Sequence, residues 1–86
     1  MSYEERRERQ RQLRRIEKSV AESEDKIERM EQRLKELDTI LCTPEGASDV
    51  TLITEYTSTR QILDQEVQRW EQLSEQAEEM KQIINT

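Results

Sequence analysis

From Leu13 to Leu41 the apolar residues Leu13, Ile16, Val20, Ile27, Met30, Leu34, Leu37 and Leu41 recur at alternating spacings of three and four, and only Ser23 interrupts them. A spacing that averages about 3.5 residues stays on one face of a helix only if that helix supercoils about a partner. A second series, Leu52, Tyr56, Thr59, Leu63, Glu66, Trp70, Leu73, Ala77, Met80 and Ile84, repeats the alternation, with Glu66 as its fault and Val67 as the neighbour able to lean in beside it.

Between the two series lies Cys42-Thr43-Pro44-Glu45-Gly46-Ala47-Ser48-Asp49, which contains the only proline and the only glycine of the chain. Pro44 lacks the amide donor that a helix interior needs, Gly46 is free to take positive φ, and Ser48 or Asp49 offers a side-chain oxygen to cap the next helix. The expected fold is all-α: a two-helix antiparallel coiled-coil hairpin, with helix 1 over about 3–41, a short Pro/Gly-containing turn over about 42–49 and helix 2 over about 50–83. The same heptads would support an intermolecular coiled coil; the short turn and the matched lengths of the two series favour the intramolecular hairpin, monomeric in isolation.

In such a hairpin the numbers of facing seam residues sum to a constant, and 93 pairs the whole series. Leu41 then meets Leu52, Leu37 meets Tyr56, Leu34 meets Thr59, Met30 meets Leu63, Ser23 meets Trp70 and Ile16 meets Ala77, so that small residues stand opposite large ones, as close packing requires. On the flanks this register predicts Glu31 near Arg60 and Lys26 near Arg69, and it predicts Tyr56 and Trp70 buried in the seam. The residues before Arg9 overhang the pairing and are expected to fray.

A chain of 86 residues that is 31% hydrophobic and 40% charged can bury one narrow seam but no layered core, which makes one domain the ceiling. The net charge of -6 is unevenly placed: Met1–Leu41 holds 11 basic and 11 acidic residues, the remainder 3 and 9. No apolar run approaches the roughly 18 residues needed to cross a bilayer, and the charged start lacks the apolar stretch of a signal peptide. A soluble, cytoplasmic protein without a membrane partner is expected.

Candidate chemistry is sparse. The chain has no histidine, and its single cysteine, Cys42, has no partner for an internal disulfide and reads as a bystander in the turn. Carboxylate pairs such as Glu4 with Glu8 or Glu75 with Glu79 lie on solvated faces, and a two-helix rod offers no pocket to desolvate them for acid–base work. Glu22 with Lys26, Asp25 with Arg29 and Glu31 with Lys35 are helix pairs at i,i+4. With no phosphate loop, metal-ligand cluster or activated nucleophile in the sequence, the expectation is a binding module rather than an enzyme, with no cofactor of its own.

The feature that points to a ligand is basic. With Leu13 at heptad position a, Arg7, Arg11, Arg14 and Lys18 fall at b and f in one outward column, and Arg15 adjoins it. Like charges at that spacing repel, so the helix gains nothing locally from them and a polyanion would relieve the repulsion. Phosphate contacts from such a column would be indifferent to sequence and strongly dependent on salt. The interleaved Glu8 and Glu17, and Glu71, Glu75, Glu78 and Glu79 of the second helix, keep a merely solvated face open as the alternative.

The turn and second helix carry a more specific signal. Leu41-Cys42-Thr43-Pro44-Glu45-Gly46-Ala47-Ser48-Asp49, followed by Tyr56, Leu63-Asp64 and Trp70-Glu71-Gln72-Leu73, resembles the C-terminal domain of bacterial ABC-F ATPases of the Uup type, in which an L-x-x-P-E turn precedes a helix carrying W-E-x-L near its end. The resemblance runs from about Glu4 to Glu79. It implies a parent protein with two ATP-binding cassettes ahead of this segment, acting on ribosomes or nucleic-acid structures, with ATP bound there and not here. It also implies that the hairpin supplies nucleic-acid (ribosomal RNA or DNA) or ribosome contacts. The acidity of the second half places such contacts on the first helix, at Arg7, Arg11, Arg14, Arg15 and Lys18. The alternative is a structural coiled-coil adaptor or dimerisation arm with a protein partner.

Overall fold

A computed structural model describes residues 1–86 as three helices: α1 over Tyr3–Leu41, α2 over Pro44–Ala47 and α3 over Val50–Asn85. α1 and α3 pack against one another as an antiparallel hairpin, a rod of 65 × 15 × 14 Å whose long axis is that of a helix of about 40 residues. The all-α hairpin expected from the heptads is the fold.

The junction is more ordered than a simple turn. The Cys42 amide donates to the Asp38 carbonyl at 3.1 Å and the Thr43 amide to the Ile40 carbonyl at 3.0 Å, which closes α1. Pro44 opens α2, where its missing donor costs nothing, and the Thr43 hydroxyl accepts the Gly46 amide at 3.0 Å. Asp49 is the residue that caps α3, its Oδ1 accepting the Leu52 amide at 3.2 Å. Gly46 does not take positive φ. Glycine is required there for room: α2 folds so closely over the end of α1 that a Cβ on Gly46 would sit on the Ile40 carbonyl oxygen and 2.9 Å from Thr43 Oγ1.

The inter-helix polar contacts straddle the expected register. Arg33 meets Glu55 on one flank, just below the sum of 93, and Glu17 approaches Lys81 on the other, just above it. Both flank pairs expected from the sequence join like positions, e with e and g with g, but the ion pairs that form fix an offset on each edge that puts the partners of Glu31 and Lys26 one heptad away from Arg60 and Arg69. Glu31, at e, lies beside Val67, and Lys26, at g, beside Ile62. Arg69 turns to Glu66 at 3.2 Å. The Arg33 guanidinium grips Glu55 with two bonds, Nε to Oε2 at 2.6 Å and Nη2 to Oε1 at 2.8 Å, and also reaches Glu36 at 3.1 Å. These bonds hold the Glu55 carboxyl below its ordinary range and the guanidinium above its own. Of the three helix pairs expected on α1, Asp25 with Arg29 forms, at 3.1 Å, while Glu22–Lys26 and Glu31–Lys35 do not.

The two faults of the heptad series meet each other. Ser23 is fully buried and its hydroxyl donates to Glu66 Oε2 at 2.6 Å, so the residue expected opposite Trp70 is bonded instead to the carboxylate that interrupts the facing seam. That hydrogen bond, helped by Arg69, pulls the Glu66 carboxyl below its ordinary value against the opposing effect of burial. Its stabilisation is therefore present above the unfolded carboxyl pKa of about 4.3 and is lost as pH falls through the lower folded value. Ser23→Ala is expected to lower stability by about 1 kcal/mol at pH 7, and the difference from the parent chain should close as urea melts are repeated toward pH 3. A pH-independent difference would mean that the hydroxyl acts by packing alone.

The apolar core is thin: Leu34, Leu37, Leu63, Ala77 and Ile84 are buried, and only Leu37 among them is completely so. Tyr56 and Trp70, expected inside, are half-buried, because a two-helix seam covers one side of a large ring and leaves the other to solvent. α1 spans the range expected for it, with the start that was expected to fray helical, and α3 ends slightly later than expected. Residues 3–8 are helical, with Ser2 accepting the Glu5 amide at 3.2 Å and Glu4 and Glu5 in the first turn where the helix dipole favours them. α3 runs on to Asn85, which brings Ile84 into the seam. No helix is long and apolar enough to cross a membrane.

Candidate nucleic-acid interface

α1 begins about five residues before the pairing does. In the register the structure adopts, α3 ends beside residue 8 of α1, and residues 3–8 are exposed throughout. The first turns therefore stand clear of the second helix, and a ligand can approach them from all sides.

All five candidate basic residues, Arg7, Arg11, Arg14, Arg15 and Lys18, are exposed. Arg11 pairs with Glu8 at 2.7 Å, in a surface contact half open to water. Arg7 lies 5.8 Å over the Tyr3 ring, a cation–π contact that gives Tyr3 a role and keeps the guanidinium on the outward face. Arg14, Arg15 and Lys18 are in no ion pair. Glu17, which adjoins Lys18 in sequence, points across the seam toward Lys81, 4.0 Å away, rather than along its own helix. The carboxylates expected to mask the column thus engage it at one position only. Glu75 and Glu79, at f and c of α3, face away from α1, and Glu78 is drawn to Lys81 at 3.4 Å. Heptad positions located this face from sequence; that it is largely unpaired depends on which way Glu8 and Glu17 point.

The sequence did not single out a second feature. On the flank where e faces e, an open groove of about 390 Å³ is lined by Glu24, Ile27, Glu28, Glu31, Val67 and Trp70. Val67 does lean in beside the seam here, half-buried. The indole Nε1 of Trp70 is buried without a hydrogen-bond partner. A signal for this groove exists in the sequence, since Glu17, Glu24, Glu31 and Asp38 recur every seven residues at position e. Its apolar floor, however, is shared between two helices and is visible only when they are paired.

The chain matches no family model, no curated protein and no solved structure.

Proposed function

We propose that this hairpin is a non-catalytic arm of an ABC-F-type ATP-binding protein, contacting the phosphates of ribosomal RNA or DNA through Arg7, Arg11, Arg14, Arg15 and Lys18. The observation that carries the reading is the basic face of α1: five exposed cations, only Arg11 of them in an ion pair, toward the end of the rod where α1 extends past α3 and Arg7 stands clear of it. The PE turn and the W-E-x-L run supply the family part of the proposal, and ATP belongs to the parent's cassettes. Phosphate contacts by exposed Arg and Lys release counterions and carry no base specificity, which suits an appendage positioned by other domains.

A titration of the chain with labelled structured RNA and duplex DNA tests this. With about four phosphates neutralised, the affinity for duplex DNA should fall with a log–log salt slope of about -3 to -4, roughly a hundredfold between 50 and 200 mM salt. Changing Arg7, Arg11, Arg14 and Lys18 to Gln should abolish binding and leave the helical circular dichroism intact. Absence of binding at low salt by the folded parent chain would remove the proposal.

A protein-contact arm remains the second reading because of one observation: Ile40, Val50 and Ile53 expose apolar side chains around the junction, Val50 to 74%. Loss of nucleic-acid binding with retained self-association or partner capture would favour it.

A further inference from the structure

We infer that the groove on the e flank is a docking site for a basic peptide segment, Arg- or Lys-rich, of a protein partner. Three carboxylates line it, Glu24, Glu28 and Glu31, and their spacing of four and three residues sets them on one face of α1. None of the three is in an ion pair, and Lys35 and Arg60 on the same flank make no salt bridge to them. Like charges so spaced repel, and an inserted cation relieves that repulsion without any change in the helices.

The floor suits the same ligand. Ile27, Val67 and Trp70 form an apolar strip between the carboxylates and α3, matching the methylene stem of a long basic side chain, whose charged head would remain at the acidic rim. Trp70 is half-buried, so part of its ring stays open to solvent, and an indole is the best aromatic partner for a guanidinium. Asp64 and Glu71 lie one turn to either side of Val67 on α3 and extend the negative rim across the second helix. An anionic ligand is excluded by this rim. The site is therefore distinct in chemistry and in place from the basic head of α1, and either can fail without the other.

Trp70 is the only tryptophan, so its emission reports on the groove directly. Nona-arginine titrated into the full chain should produce a saturable change in emission, and an uncharged Gly-Ser peptide of equal length should produce none. The triple change Glu24→Gln, Glu28→Gln and Glu31→Gln should weaken the affinity about tenfold. Glu4→Gln with Glu5→Gln and Glu45→Gln, which removes the same charge elsewhere, should change it by less than about twofold. A single Glu28→Lys, at an exposed helical position, provides a second variant and should weaken binding by a similar factor. Equal loss in both triples would reveal diffuse attraction to an acidic chain and overturn the inference. So would an emission that does not saturate, an affinity unmoved by Glu28→Lys, or sedimentation showing a second copy of the chain seated on this flank.

Discussion

Replacing Leu37 by alanine is expected to cost about 2 to 5 kcal/mol, the largest loss from any single apolar truncation in this chain. Leu37 is the one core side chain with no exposed surface, and it lies with Leu34 and Leu63 in the half of the rod nearest the junction. A two-helix seam has no second layer to collapse into the space left behind, so the cavity term adds to the lost transfer energy. For a chain of this size the melting temperature should drop by at least about 10 °C, read from the loss of helical circular dichroism on heating. Leu13→Ala, at a half-buried position toward the far end, should cost clearly less. Equal costs at the two sites would mean that the seam is uniformly packed and that the junction half does not dominate stability.

Gly46→Ala should destabilise the hairpin by about 1 to 3 kcal/mol, although two considerations point the other way. Gly46 lies in a helical turn with ordinary φ, and alanine is the better helix former by about 1 kcal/mol. Sterics decide the sign. The added methyl would collide with the Ile40 carbonyl, which is backbone at the end of α1 and cannot rotate aside as a side chain would. Relief requires α2 to lift from α1, which would break the bond from the Gly46 amide to the Thr43 hydroxyl and displace the start of α3. Equilibrium urea unfolding of the single variant checks this, and a variant as stable as the parent would show that the junction yields without cost. Ala47→Gly, in the same short helix but at an exposed position, should cost no more than the propensity difference.

The basic face and the acidic groove put opposite charges on separate parts of one rod, a division that the net charge of -6 conceals. Salt should weaken both kinds of contact, since both are surface electrostatics, so salt alone does not separate them. The charge of the probe does: polyanions should compete for Arg7, Arg14, Arg15 and Lys18, and polycations for Glu24, Glu28 and Glu31.

Much of this molecule follows from the order of its residues. The alternation of three and four placed the seam, the single Pro and Gly located the reversal, and the constant-sum rule set a register that the flanking ion pairs straddle. Heptad position also puts Arg7, Arg11, Arg14 and Lys18 on one outward column, with Arg15 beside it. These features are legible because helical periodicity converts sequence spacing directly into direction around an axis.

What the linear pattern did not decide depends on contacts between residues far apart in the chain. Ser23 and Glu66 look like separate defects, and only pairing the helices turns them into a mutual hydrogen bond. Gly46 reads as a residue chosen for positive φ, whereas the close crossing of α2 over α1 makes it a residue chosen for the absence of a Cβ. Flank partners lie one heptad from where the seam numbers alone would put them, because the e and g edges face across the pair with offsets of opposite sign. The groove beside Trp70 has its carboxylates on α1 and most of its floor on α3. Spacing sets where a side chain points on its own helix; what it then touches is decided by the surface of the other helix, and that is a property of the fold.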